Sequence, residues 1–130
     1  MIPNNFCTFL LPFPPSVNSA YAQRGNRRVK AKGVILWEDK ARRTLKTNYF
    51  LSKPFTRHEA RLVYVLYPKD KRIRDAGNYE KILTDFLVTE GVLIDDSARY
   101  VRGITIEWGE EGQGDPGTVR VIITSVMKNS

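Results

Sequence analysis

The sequence predicts an α/β (α+β) fold, a single domain in which a small mixed β-sheet carries two main helices. Four segments have the apolar, β-branched and aromatic composition of strands: residues 6–12, 59–67, 101–108 and 118–126. Two others have apolar residues at helical spacing: residues 33–52 and 78–90. The length of 130 residues fits one domain, so we expect residues 1–130 to fold as one unit.

The first strand is followed by a segment without a regular pattern. Residues 6–12, FCTFLLP, are β-forming, and Pro14 and Pro15 then exclude a helix. The next stretch, SVNSAYAQRGNRRVKAK, is polar and basic, and its Gly25–Asn26 pair is typical of a turn. We therefore expect residues 16–32 to form a flexible basic arm.

The first helix is predicted from a repeat that ends before Pro54. Its buried face is expected to consist of Val34, Trp37, Ala41 and Leu45. Residues 59–67, EARLVYVLY, are rich in β-formers and predict a central strand. A basic loop over residues 68–74 then leads to the second helix.

The second helix is expected to have one apolar and one polar face. The apolar face consists of Tyr79, Ile82, Leu83, Phe86 and Leu87. The polar face carries Asn78, Lys81 and Asp85, and Gly91 is a natural end for the helix. Beyond it, Trp108 lies on the Ile104 and Ile106 side of an alternating strand, so we expect Trp108, like Trp37, in the core.

Composition favours a nucleic-acid partner. There are 21 Lys and Arg residues against 14 Asp and Glu, a net charge of +7. The single histidine, His58, makes His-rich zinc chemistry improbable, and the single Cys7 cannot form an intramolecular disulfide. Neither a signal peptide nor a membrane-spanning run is expected, so we predict a cytoplasmic, nucleoid-associated protein with no membrane partner.

Acidic residues at both ends of the second helix suggest a metal site. Asp75 precedes this helix, and Asp95 and Asp96 follow it. A strand–helix–turn unit can bring its two ends together, and clustered carboxylates repel unless a cation lies between them. Mg²⁺ suits oxygen ligands of this kind. An equally good interpretation is that Asp75 caps the helix and that Asp95 and Asp96 form a turn.

Lys81 allows two interpretations. It could stabilise charge on a phosphoryl transition state or anchor a phosphate. Alternatively, it pairs with Asp85, four residues on, which is the commoner role of such a lysine.

Two basic segments, with polar and aromatic residues beside them, suit contacts with DNA phosphates and unpaired bases. The expected DNA-binding residues are Asn18, Tyr21, Arg24, Arg27, Arg28, Lys30, Lys69, Lys71, Arg72, Arg74 and Asn78. The alternative is that the N-terminal segment is a solvated loop.

Three motifs resemble those of the RusA-type Holliday junction resolvases. They are PPSVNSAY, RDAGNYEKILTDFL and GVLIDDS, in this order and spacing, and the resemblance extends over nearly the whole chain. It implies a small homodimeric endodeoxyribonuclease that binds Mg²⁺, with Mn²⁺ as a substitute, and acts on branched DNA. It also implies that Asp75 and Asp96 bind the metal beside Asp95, and that Lys81 supports catalysis.

One position departs from the family's usual Asp-x-Asp-Asn-x-x-Lys motif. The second aspartate is replaced here by Gly77. Glu80 lies three residues further on, so on a helix it shares a face with position 77 and could supply the missing carboxylate. Equally, Glu80 could be a first-turn residue stabilised by the helix dipole.

These observations together predict a Mg²⁺-dependent, structure-selective endonuclease that resolves four-way junctions in recombination and repair. Two other functions stay open: a catalytically silent junction-binding relative, because Gly77 removes a carboxylate, and a basic RNA-binding protein.

Overall fold

A four-stranded mixed sheet forms the centre of the molecule. The computed structural model describes residues 6–16, 21–24, 27–47, 51–70 and 75–126. Its elements, in chain order, are β1 (Phe6–Pro12), β2 (Tyr21–Arg24), β3 (Arg27–Lys30), α1 (Lys32–Lys46), β4 (Glu59–Tyr67), α2 (Gly77–Thr89), β5 (Val101–Trp108) and β6 (Thr118–Val126). Strands follow one another across the main sheet in the order β1-β6-β4-β5.

Strand β4 occupies the interior position that the sequence predicted. It pairs antiparallel with β6 on one side and parallel with β5 on the other. Alternate β4 residues Ala60, Leu62, Tyr64 and Leu66 are buried, as expected for a strand with one face on the core. A parallel pair requires a crossover connection, and α2 is that connection between β4 and β5.

Both helices pack into one core with the buried face of the sheet. The four α1 residues and five α2 residues predicted to be buried are all buried, at 6% exposure or less. The helices touch through an edge-to-face contact between Trp37 and Phe86, whose ring centroids are 5.1 Å apart. Arg42 of α1 also donates from Nε to both carboxylate oxygens of Glu90, at 3.1 Å each. The predicted α+β fold of two helices on a small mixed sheet is therefore confirmed.

Helix α1 is shorter than the sequence predicted. It ends at Lys46, whereas the repeat predicted an end at residue 52. The Thr47 hydroxyl donates to the Thr44 carbonyl at 2.7 Å, and the Thr47 N–H donates to the same oxygen at 3.2 Å. This tight final turn uses the carbonyl that the next helical turn would need. Residues 48–50 lie outside the described part of the chain.

The basic segment contains regular structure that its composition did not reveal. Strands β2 and β3 pair antiparallel in a separate two-stranded sheet, where we expected an arm without strands. The expected turn at residues 25–26 lies between the strands, outside the described residues.

Trp108 is the exception among the residues expected in the core. It is 40% exposed, because it ends the edge strand β5, where no further strand covers it. Its ring still contacts Tyr79, with centroids 6.3 Å apart. In the described part of the chain, neither helix has the length and apolarity needed to cross a bilayer.

Candidate active site

The β4–α2–β5 unit places the expected site at the carboxyl end of a parallel strand. Strands β4 and β5 run side by side in the same direction, and the chain leaves the end of β4 to reach Asp75 and α2. Ligands of open α/β sheets bind at this edge, where loops leave the carboxyl ends of parallel strands. Sequence order alone therefore places Asp75 where such a sheet normally binds its ligands.

Asp75 is fixed at the beginning of α2. Its Oδ1 accepts the Gly77 N–H at 3.1 Å, and its backbone oxygen accepts the Asn78 N–H at 3.0 Å. The start of a helix also favours a negative charge. The expected cap is met only in part: Asp75 accepts the first helical N–H with one carboxylate oxygen, but the N-cap position is Ala76 and no side-chain cap hydrogen bond is made there.

The chain turns back on itself after α2. The N–H groups of Val92 and Leu93 both donate to the Leu87 carbonyl, at 2.9 and 3.2 Å, so Leu93 lies beside Leu87. Asp96 follows three residues later, a span of about 10 Å in an extended chain. A helix of about seven residues rises by the same distance, and seven residues separate Leu87 from Glu80. The return segment can thus carry Asp96 back alongside the first turns of α2.

Several neighbouring groups act on the Glu80 carboxylate. The pKa of Glu80 is raised, first by burial, then by the negative charge of Asp85, and also by that of Asp96. Lys81 and a hydrogen bond from Thr84 act in the opposite direction and are outweighed. Glu80 is therefore a half-buried carboxylate in an environment with an excess of negative charge.

Asp95 and Asp96 lie in an irregular segment without a regular turn, and a local contact joins them. Asp95 Oδ1 accepts the Asp96 N–H at 2.8 Å, and both side chains are exposed. This bond holds the two aspartates in a fixed relation and engages one oxygen of Asp95.

Lys81 pairs with Asp85, as one of its two interpretations required. Lys81 Nζ lies 3.3 Å from Asp85 Oδ2, and the side chains are 61% and 39% exposed. An exposed pair of this kind contributes only about 0.3–0.5 kcal/mol. A phosphate could therefore displace Asp85 from Lys81 at little energetic cost.

Among the residues that it describes, the structure does not gather the expected ligands into one metal-binding group. Glu80 and Asp96 interact electrostatically, and Asp95 adjoins Asp96. Within the described ranges, no three His, Cys, Asp or Glu side chains converge closely enough to hold one metal ion. Asp75 borders residues 71–74, which lie outside those ranges.

The available donors suit a hard divalent cation. They are carboxylates, and three of them, Asp75, Asp95 and Asp96, are exposed, which leaves room for water in a coordination shell. The donor type is therefore the one that hard divalent cations prefer, although no three of these carboxylates converge in the described ranges.

The expected DNA-binding residues fall into two groups. The side chains of Lys30, Lys69 and Asn78 are described. Lys30 Nζ lies 2.9 Å from Glu38 Oε2, Lys69 is exposed, and Asn78 is half-buried. Tyr21, Arg24, Arg27 and Arg28 are placed by the β2–β3 register, in which Arg24 pairs with Arg27 and Tyr21 with Lys30. Asn18, Lys71, Arg72 and Arg74 lie outside the described residues.

A buried pair of hydroxyl groups between α2 and β4 was not predicted from the sequence. Tyr64 of β4 and Thr84 of α2 are both buried, and their hydroxyl oxygens are 2.8 Å apart. The sequence offered one indication of this pair. Thr84 lies beside the apolar positions Leu83 and Phe86, where a helix that faces a core normally has an apolar residue.

Comparisons with known proteins give matches over most of the chain. A family model described as Endodeoxyribonuclease RusA matches residues 12–124. The crossover junction endodeoxyribonuclease rusA of Enterobacteria phage HK97 is 32% identical over 111 residues, which cover 80% of this chain and 88% of that protein. The family match includes α2, its flanking carboxylates and the basic hairpin.

Proposed function

Because the chain belongs to the RusA family of endodeoxyribonucleases, we propose that it cleaves four-way DNA junctions in a reaction that requires Mg²⁺. The observation that carries this proposal is the family match over residues 12–124, which includes the carboxylates around α2. The phage HK97 relative, named a crossover junction endodeoxyribonuclease, supports the choice of a branched substrate. A substrate of this kind would place the protein on DNA, in the cytoplasm at the nucleoid.

Four carboxylates would hold the metal: Asp75, Glu80 and Asp96, with Asp95 beside them. A bound Mg²⁺, or Mn²⁺ in its place, supplies Lewis-acid activation of the phosphodiester and of the attacking water. Asp75 is anchored by the first turn of α2, and the Asp95 carboxylate accepts the Asp96 backbone N–H at 2.8 Å. These contacts engage one oxygen each of Asp75 and Asp95 and leave the other oxygen available for the cation.

Lys81 would stabilise the negative charge that develops on the scissile phosphate. It lies one residue after Glu80 and within the first two turns of α2, and its Asp85 partner is itself partly exposed. An incoming phosphate would compete with Asp85 for the ammonium group. Donors placed in this way stabilise a transition state more than the ground state.

The β2–β3 hairpin would bind the phosphates of the junction arms. Arg24 and Arg27 are direct partners in its register, and the two strands together carry Arg24, Arg27, Arg28 and Lys30. Contacts to phosphate give affinity without sequence information, which suits recognition of branched structure.

The active form would be a homodimer. A junction is resolved by cuts in two strands, and each chain contributes one β4–α2–β5 unit. Two-fold symmetry supplies two such units. Light scattering should give a dimer at micromolar concentration or on junction DNA, and a monomer under both conditions would contradict this.

The proposal is tested with a synthetic four-way junction labelled on each strand in turn. We expect Mg²⁺-dependent, paired nicks in the junction and none in a linear duplex that has the sequence of one arm. Binding measured with Ca²⁺ in place of Mg²⁺ separates recognition from chemistry. Asp39 on α1 is exposed and pairs with Arg43. Asp39→Asn is therefore the control for the loss of one carboxylate away from the proposed site.

Gly77 favours one competing function, that of a silent junction-binding relative. It leaves a non-acidic residue at a position where the family's usual motif has an aspartate. Tight binding of the junction without nicks, over a wide range of Mg²⁺ and Mn²⁺ concentrations, would favour this alternative over the enzyme.

A further inference from the structure

The loop between β5 and β6 packs directly against a tyrosine ring. This loop, residues 109–117, has the sequence GEEGQGDPG. A Cβ at Gly114 would lie 2.5 Å from Tyr67 Cζ, and a Cβ at Gly109 would overlap Cε1 of the same ring. Because no side chain can approach other atoms so closely, both positions require glycine while Tyr67 keeps its place. The loop backbone is therefore shaped around Tyr67, the last residue of β4.

Both ends of the loop are also hydrogen-bonded to the end of β4. The Gly109 N–H donates to the Leu66 carbonyl at 2.8 Å, and the Gly117 N–H donates to the Tyr67 carbonyl at 2.6 Å. These bonds and the ring contact hold the loop at the carboxyl end of β4. From this edge of the sheet the chain continues to Asp75 and α2.

Lys69 lies on this loop. Its side chain contacts the Gly117 backbone, where a Cβ would be 2.8 Å from Lys69 Cε and 2.9 Å from Cγ. Within the described ranges Lys69 has no ion pair, whereas Lys30 and Lys81 each pair with a carboxylate. A lysine side chain that is already ordered loses less conformational entropy when it binds an anion.

Attraction within the loop does not account for the position of Lys69. The loop carries three exposed carboxylates, Glu110, Glu111 and Asp115, and in the part of the chain that the structure describes none of them pairs with Lys69. The side chain is held instead by contact of its methylene groups with the backbone. This arrangement leaves the ammonium group available to an anion.

We propose that the β5–β6 loop is a positioning element that holds Lys69 as a preorganised anchor for a DNA phosphate beside the cleavage site. The inference rests on the proposed function, which supplies the DNA. Lys69 lies two residues after the end of β4 and six before Asp75. A phosphate bound there would therefore lie at the edge of the sheet from which the chain reaches the proposed site. Tyr67 and Gly117 would act on DNA only through Lys69.

The test compares alanine substitutions at two glycines that have the same backbone conformation. Gly117 and Gly112 have φ values of +83° and +86°, so alanine is similarly strained at both. At Gly112 a Cβ meets nothing within 4 Å, whereas at Gly117 it displaces the Lys69 side chain. Gly112→Ala is therefore the matched control for Gly117→Ala.

The measured quantity is the salt dependence of junction binding by the full-length protein, with Ca²⁺ in place of Mg²⁺. Lys69→Ala should reduce the slope of log affinity against log salt by about one unit, because one phosphate contact is lost. Gly117→Ala should produce most of this reduction, and Gly112→Ala should produce none. Lys69→Arg, which keeps the charge, should keep the slope. Equal slopes for Gly117→Ala and Gly112→Ala would overturn the inference.

A double-mutant cycle separates positioning from general stability. In a Lys69→Ala background, Gly117→Ala should change the slope no further, because both changes remove the same contact. A Gly117→Ala effect that persists in full without Lys69 would contradict the positioning role. Lys69 is exposed, so Lys69→Ala is expected to fold, and an unchanged slope in that variant also overturns the inference.

Tyr67 decides the question if Gly117→Ala does not fold. Tyr67→Phe keeps the ring against which the loop packs, so its slope should equal that of the unmodified chain. Tyr67→Leu removes the ring and should reduce the slope as Gly117→Ala would. An unchanged slope in Tyr67→Leu would show that the loop does not position Lys69.

Failure of the inference is distinguishable from failure of the proposed function. Junction binding with unchanged slopes in every variant overturns the positioning role and leaves the nuclease intact. Binding without cleavage in Mg²⁺ overturns the nuclease, and the slopes then still decide the role of the loop. Absence of junction binding by the unmodified chain overturns both.

Discussion

The β4–α2–β5 unit and the β2–β3 hairpin are both charged, but they are built in opposite ways. In the first, α2 buries Tyr79, Leu83 and Phe86, and the Asp75 and Asp95 carboxylates beside it accept backbone hydrogen bonds. The hairpin is a separate two-stranded sheet, in which two of the four residue pairs include arginine. The acidic region is distinguished by carboxylates held in fixed positions, and the basic hairpin by its many positive charges.

This difference corresponds to two physical requirements of a nuclease. Chemistry requires ligands held within a fraction of an ångström, which a helix packed on a sheet supplies. Affinity for a polyanion requires positive charge over an area, and its exact placement matters less. Substitutions in the two regions should therefore change different measured quantities.

The largest effect is expected at the carboxylates. Asp75→Asn or Asp96→Asn should reduce junction cleavage below detection, because each removes a charged ligand for the cation. Junction binding in Ca²⁺ should persist or tighten, since repulsion of DNA decreases. Near-normal nicking by either variant in a gel assay would remove that residue from the site.

Loss of Lys81 should have the next largest effect. Lys81→Ala is expected to slow cleavage about a hundredfold, as when one transition-state donor is removed. The melting temperature should hardly change, because the exposed Lys81–Asp85 pair contributes only about 0.3–0.5 kcal/mol. Lys40→Ala on α1 is the control, and equal rates for the two variants would leave Lys81 as a surface residue paired with Asp85.

The hairpin should control affinity and its salt dependence. The Arg27→Ala/Arg28→Ala variant should reduce the slope of log affinity against log salt by about two units, at roughly 0.9 per phosphate contact. The cleavage rate at saturating protein should stay unchanged. The Lys40→Ala/Lys46→Ala control on α1 removes the same charge, and an equal reduction there would mean that only net charge matters.

The smallest effect concerns stability without metal. The pKa of Glu80 in the folded protein is raised by burial, Asp85 and Asp96. The protonated Glu80 side chain therefore stabilises the fold fully at pH values below 4.5, the ordinary pKa, and this contribution is lost as the pH rises through the folded-state pKa. Glu80→Gln should therefore raise the melting temperature at neutral pH, and the difference should vanish at lower pH. Glu111→Gln, in the exposed loop after β5, is the matched control. A Glu80→Gln variant less stable at neutral pH would contradict the described electrostatics.

Much of the fold was predictable because its signals are local. Strands β1, β4, β5 and β6 begin and end where their composition predicted, and the buried faces of both helices were predicted from apolar spacing. Helix α1 was predicted too long, because its end depends on the Thr47 hydroxyl and not on the apolar repeat. The hairpin strands were missed because their residues are basic, and strands are normally recognised by apolar alternation.

The family was predictable from its motifs, and the comparisons confirm it. The roles of individual site residues stay predictions. The sequence weighed Glu80 as a carboxylate from its spacing to Gly77 and expected the two ends of α2 to come together, but it did not predict the path of residues 91–96. It also missed Thr84 and Tyr64, since a hydrogen bond across 20 residues has no local signature.

The most direct test exchanges the carboxylate between two positions. Gly77 has no positive φ, and a Cβ there would lie 3.6 Å from Asp75 Oδ1, an ordinary contact, so an aspartate fits. Mg²⁺ titration of junction cleavage should show a sharp loss of activity and a higher Mg²⁺ requirement in Glu80→Gln. The Gly77→Asp/Glu80→Gln double variant should recover part of the activity and should need less Mg²⁺ than Glu80→Gln alone. Normal cleavage by Glu80→Gln, at the Mg²⁺ concentration that suffices for the unmodified chain, would show that Glu80 is not part of the site.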